Sequence, residues 1–209
     1  MESMQSLQTA TTTTNAPAAR APRAGQAESL LDAWLPGCSF ELSSACAGSA
    51  ERLPFAVRDV LTDALTPDLF ISLVDSLLDL PRSANRYTRH VLHADPKGRF
   101  TVVGLVWGPQ QFSPVHAHFT WCTYRVLSGE LTETQFAWDA ASNTAKAVNT
   151  ITRKAGQSAC GHAGLDFIHR LGNATSAGET GSEPAVSLHV YGVDAERIST
   201  HVNRLLTAI

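Results

Sequence analysis

The chain has 209 residues, 44% hydrophobic and 17% charged, with 16 Lys and Arg against 19 Asp and Glu and a formal net charge of -3. That length is a little over one ordinary domain, and the apolar share suffices for one packed core. The balance excludes a surface built for nucleic acid or an anionic membrane, because those partners need a basic excess. Cys38, Cys46, Cys122 and Cys160 are too few and too scattered for a disulfide scaffold and form no Cys-x-x-Cys pair. Phe100 to Val115 lacks charge but is broken by Gly104, Gly108, Pro109 and Pro114 and cannot span a membrane. These features predict a cytoplasmic protein, a monomer or small homo-oligomer, with no nucleic-acid or membrane partner.

Residues 1–25 are rich in Thr, Ala and Pro and hold almost no large apolar side chains, which predicts a disordered tail. From residue 26 to 82 the apolar spacing is helical. Leu30, Leu31 and Trp34 share one stripe, and Val57, Val60, Leu61 and Ala64 share another. Thr66-Pro67-Asp68 reads as a helix start with a hydroxyl cap, and the buried face runs through Leu69, Phe70, Leu73, Leu77 and Leu80 until Pro81 stops it. After Asn85 the period becomes two. Phe100–Trp107 reads as a strand buried on both faces, followed by strands over 121–127, 131–138, 148–152 and 185–192 with turns at Ser128-Gly129 and Ser142-Asn143. Helices first and short strands afterwards predict an α+β chain, residues 26–209, whose β part over 86–209 is a sandwich or small barrel. The segment 194–209 fits strand or helix equally.

Among eight histidines, His116-Ala117-His118 is the sharpest feature. On a strand, residues two apart face the same way, so both imidazoles can reach one metal ion, although a chance pair on an exposed strand reads identically. His169 supplies a third ring downstream, and His162 is its rival, set among glycines in a predicted loop. His90 and His93 read as exposed beside a charged strand. Cys38, Cys46 and Cys160 read as inert thiols.

The surroundings narrow this. Cys122 falls four residues after His118, where the cupin pattern carries a glutamate, and Gly129 and His169-Arg170-Leu171-Gly172-Asn173 keep the spacing of that pattern's two motifs. With Tyr87-Thr88-Arg89, Trp107-Gly108 and the run from Glu183 to Tyr191, this ordered set resembles the cysteine dioxygenase family over about residues 53–200. The resemblance implies N-terminal helices packed against a double-sheet cupin (jelly-roll) barrel and an Fe(II)- and O2-dependent oxidation of a small thiol. It further implies His116, His118 and His169 as iron ligands and Arg89, beside Tyr87, as the clamp on a substrate carboxylate. Ser187, His189 and Tyr191 become a polar relay, and Cys122 the cysteine that crosslinks to the tyrosine. Ala117 stands where the family has aspartate.

The chemistry suits these groups. Three neutral imidazoles leave a ferrous ion with open positions for a thiolate and O2, and the sulfur supplies the electron density that a carboxylate ligand gives elsewhere. On a strand, Ser187, His189 and Tyr191 share one face and Val186, Leu188 and Val190 the other. A guanidinium matches a carboxylate in two-pronged fashion, and arginine where 3-mercaptopropionate-type relatives carry glutamine points to L-cysteine, with cysteine sulfinate as product. A dioxygenase of 3-mercaptopropionate or mercaptosuccinate, or a non-catalytic cupin that binds a metal or small molecule, fits the same residues.

Overall fold

The computed structural model describes residues 30–34, 37–64, 66–178 and 183–209. The expected disordered tail lies outside them. Among the described residues four helices come first, α1 (Leu30–Trp34), α2 (Cys38–Ala45), α3 (Leu53–Ala64) and α4 (Pro67–Leu78). Ten strands follow: β1 (Thr88–Ala94), β2 (Thr101–Trp107), β3 (His116–His118), β4 (Cys122–Ser128), β5 (Glu130–Asp139), β6 (Thr144–Lys154), β7 (Ser158–Gly161), β8 (Gly164–Gly172), β9 (Ala185–Tyr191) and β10 (Asn203–Leu205). They form two five-stranded sheets in the orders β1-β2-β9-β4-β7 and β10-β3-β8-β5-β6, antiparallel throughout. This is the double-stranded β-helix of the cupins with helices against one sheet.

The first sheet is buried on both faces because it separates two apolar layers. Val102, Val106, Val186, Leu188 and Val190 meet Val57, Leu61, Leu73 and Leu77 of the helices, while Val103, Leu105, Trp107 and Tyr191 face the barrel interior. Every residue of β2 and β9 is accordingly buried, as the uninterrupted apolar run of β2 predicts. Helix α4 approaches β2 closely at Gly104, where a Cβ atom would run into the Leu77 side chain. Thr123 Oγ1 donates to the Pro54 carbonyl at 2.6 Å and pins α3 to β4. Arg99 joins Asp95 to the Ser43 carbonyl and hydroxyl and ties α2 to the β1–β2 turn.

Several expectations change in detail. Helix α4 ends at Leu78 rather than at Pro81, and Thr66 begins it through its extended backbone, its carbonyl accepting from Phe70 N at 2.9 Å, with no side-chain cap. The strand expected over 148–152 runs over Thr144–Lys154, because ten ladder pairs with β5 extend it through solvent-facing Thr, Asn and Lys that carry no hydrophobic signal. The segment 194–209 resolves into a single 3-10 turn and β10, which pairs with β3. His93 is not exposed. It is 7% accessible, lying on β1 against the Phe100 ring under the packed helices, and His90 is half-buried.

Candidate metal centre and its pocket

Period two on β3 turns His116 and His118 into the barrel and Ala117 into a separate small cluster with Ala145 and Ile168. Strand β8 pairs with β3 so that His169 stands opposite His116, with an irregularity between His116 and His118 that tightens the bend. The three rings lie 4.7 to 5.2 Å apart between centroids, and one ligand atom from each falls within 4.8 Å of the others. Among the described residues this is the one such group. His162, the rival third ligand, is exposed in the loop before β8 with its ring edge-on to Phe55.

All three histidines are buried. Burial, assisted by the neighbouring imidazoles, holds His116 and His118 well below the usual imidazole range, so both stay neutral and able to ligate. The remaining ring nitrogens are partly committed. His116 Nδ1 lies 2.9 Å from the Pro114 carbonyl and His169 Nδ1 lies 2.8 Å from Glu133 Oε1. Each donates there, since both acceptors lack hydrogen, and each keeps Nε2 for a metal. Three imidazole nitrogens converging in a buried pocket fit Fe(II), as they fit other first-row divalent ions.

Tyr87, Arg89, His189 and Tyr191 line the same pocket. Arg89 on β1 donates from Nη2 to Tyr87 Oη at 2.9 Å with its guanidinium over that ring, while its Nε is buried without a partner. No carboxylate of the described residues pairs with Arg89. The result is a cation, in a pocket shared with the three histidines, that has no internal counter-ion. On β9, Ser187 Oγ lies 2.9 Å from His189 Nε2, and His189 Nδ1 lies 3.1 Å from Tyr191 Oη. Burial keeps His189 neutral and pushes the Tyr191 phenol well above its ordinary value. Cys122 is buried directly opposite Tyr191 in the β4–β9 ladder, its thiol also pushed well up by burial. Away from the pocket, burial raises the Cys38 and Cys46 thiols to about 12 and about 11, in keeping with inert cysteines.

Two contributors escape a reading by residue pattern alone. Trp107 donates from Nε1 to Ser187 Oγ at 2.8 Å and stacks on Tyr87 with centroids 4.4 Å apart. Glu133, fully buried on β5, accepts from His169 through one oxygen and from Arg153 through the other. The only sequence signal for Glu133 is its place two residues after Leu131, on the inward face of a strand, where a carboxylate is out of character.

The profile of the family described as Cysteine dioxygenase type I matches residues 80–204, more than half of the chain. The chain belongs to the cysteine dioxygenase family. Cysteine dioxygenase type 1 of Homo sapiens is 35% identical over 109 residues, covering 51% of this chain and 50% of that protein. The Danio rerio protein of the same name is 31% identical over 113 residues, covering 51% of each. The chain thus aligns with about half the length of these curated relatives. Distant solved structures include a cupin superfamily protein from Desulfitobacterium hafniense, 16% identical with a TM-score of 0.39 over 57% of this chain and 86% of that one. A protein from Klebsiella pneumoniae with a double-stranded β-helix domain is 19% identical with a TM-score of 0.42 over 60% and 90%. Among the described residues no helix is long and apolar enough to cross a membrane.

Proposed function

We propose that this chain is an Fe(II)-dependent thiol dioxygenase that converts L-cysteine to cysteine sulfinate. The observation that carries the reading is the pairing, in one pocket, of three buried histidines with an arginine that has no counter-ion of its own among the described residues. His116, His118 and His169 would hold the iron, which supplies a common site for the substrate sulfur and O2. The net reaction adds both oxygen atoms of O2 to that sulfur, so that a thiol plus O2 becomes a sulfinic acid with no other reductant.

The protein's own groups account for the rest. Arg89 receives the substrate carboxylate, and its Nε–H and the remaining Nη hydrogens are the donors that such an anion would occupy. That fixes the distance from carboxylate to sulfur and favours an α-amino acid thiol. Trp107 then sets the sense of the relay. An indole nitrogen only donates, so Ser187 Oγ accepts from Trp107, and the buried seryl hydrogen turns to His189 Nε2. The imidazole hydrogen, assigned from this network, sits on Nδ1 and points to the Tyr191 oxygen. The Tyr191 hydrogen is left free to be donated into the pocket, to the reacting sulfur or oxygen. Its high affinity for its proton makes it a hydrogen-bond donor rather than a base. The ladder position of Cys122 suits a thioether to Tyr191, formed with loss of two hydrogens to O2 as oxidant; intact mass, compared with Cys122→Ser, tests it.

The deciding assay is O2 uptake by anaerobically iron-loaded protein, with L-cysteine and 3-mercaptopropionate offered in parallel and sulfinate quantified. One O2 consumed per cysteine sulfinate supports the proposal. Preference for the amine-free thiol overturns the assignment of substrate, and bound iron without uptake overturns the assignment of activity.

A further inference from the structure

The three imidazoles of the centre are alike in burial but unlike in what stands behind them. His118 Nδ1 is buried with no partner, His116 donates to a neutral backbone carbonyl, and His169 donates to a carboxylate. The carboxylate is itself constrained. Glu133 is 0% exposed, its Oε1 is taken by His169 at 2.8 Å and its Oε2 by Arg153 Nε at 2.6 Å. Arg153 in turn reaches the Ser158 carbonyl and lies over the Tyr124 ring, so it is braced from a second direction. An ion pair buried to this depth is a poor source of stability, because removing two charges from water costs as much as their attraction returns. Its geometry gives it a different use. One carboxylate oxygen takes the histidine and the other the arginine, and the histidine hydrogen bond holds one tautomer and one ring orientation.

We propose that Glu133 is the outer carboxylate of the metal centre, a positioning residue that locks His169 with Nε2 towards the ion and makes it the strongest donor of the three. The inference rests on the reading of His116, His118 and His169 as the iron ligands. Hydrogen bonding to a carboxylate polarises Nδ1–H and raises the electron density at Nε2 across the ring. A site with no carboxylate in its inner sphere thereby recovers, through one imidazole, part of the donation that a ligating carboxylate gives. Arg153 holds the carboxylate in register.

The test compares Glu133→Gln with wild type in three measurements: Fe(II) affinity by anaerobic competition with a chromophoric chelator, the Fe(III)/Fe(II) midpoint potential of the loaded protein, and the melting temperature of the metal-free protein. Glutamine has a single acceptor oxygen and must abandon either His169 or Arg153. We expect Fe(II) affinity to fall about 10- to 100-fold and the midpoint potential to rise, since Fe(III) loses more donation than Fe(II). The double variant Glu133→Gln with Arg153→Gln removes the stranded arginine charge. It separates positioning from structure: restored melting temperature with persistently weak iron binding supports the proposal. Wild-type affinity and potential in either variant overturn it while leaving the three-histidine site intact. Failure of wild type itself to bind Fe(II) stoichiometrically overturns the ligand reading and, with it, this inference.

Discussion

Substitution Arg89→Gln addresses the clamp directly. Glutamine keeps much of the side-chain length and hydrogen-bonding capacity but not the charge. In the folded protein the guanidinium has one bond, from Nη2 to Tyr87 Oη at 2.9 Å, and a buried Nε with no protein partner, which leaves donors for a bound carboxylate. Truncating one partner of a buried, hydrogen-bonded charge pair costs about 2–5 kcal/mol. At about 1.4 kcal/mol per tenfold, kcat/KM for L-cysteine should fall about thirtyfold at the least and by several thousandfold at the most. The carboxylate is remote from the reacting sulfur, so the loss should appear mainly in KM. Oxygen uptake across a range of cysteine concentrations measures it, with iron content as the control and cysteamine, a thiol without a carboxylate, as the reference substrate. Cysteamine turnover should be unaffected. A loss of equal size for cysteamine, or none for cysteine, would refute the assignment of Arg89 to the substrate carboxylate.

Trp107→Phe removes the donor that orients Ser187 but keeps an aromatic ring on Tyr87; kcat should drop by about five- to thirtyfold, worth about 1–2 kcal/mol, with KM for cysteine little changed. Ser187→Ala should lower kcat similarly, and the double variant should be no worse than the more damaged single variant, whereas additive losses would show that the two do not act as one relay. Gly104→Ala drives a methyl group into Leu77, which is fully buried, and should cost about 1–3 kcal/mol, several degrees of Tm in calorimetry; an unchanged Tm would mean that α4 packs less tightly on β2 than described. Asp95 is held at about 2 rather than 3.8, chiefly by the hydrogen bond from Arg99 and against the opposing effect of burial. A depressed folded pKa means that this stabilisation is complete above the unfolded value, near 4, and disappears as pH falls through about 2. Asp95→Asn should therefore cost about 1–2 kcal/mol at pH 7, allowing for solvent at the half-exposed Arg99, and almost nothing at pH 2. Denaturant melts at both pH values decide this, and a gap independent of pH would contradict it.

Much of the architecture and the site is written in local pattern. The stripe through Leu73 and Leu77 and the unbroken apolar run of β2 mark a helix face and a sheet buried on both sides, because burial acts on side chains that the backbone period sorts onto faces. The same period puts His116 with His118 and Ser187 with His189 and Tyr191 before any contact is known. Arg89 was legible by resemblance, but its want of a counter-ion is a property of the assembled pocket.

What local pattern leaves undecided depends on which strands meet. The full length of β6 follows from its ladder with β5, since polar residues at an exposed edge are held by backbone bonds that the side chains do not announce. His93 is buried because the helices close over β1, and the segment 194–209 becomes strand only where β3 offers it an edge. His169 rather than His162 joins His116 and His118 in the pocket because β8 registers it against His116. Glu133 and Trp107 join the site from β5 and β2, each a partner to a residue more than thirty positions away in the chain. A sequence by itself determines which way a side chain faces along its own strand; only the tertiary pairing of strands determines what it faces, because hydrogen bonds and metal geometry act across distances of a few ångströms irrespective of separation along the chain.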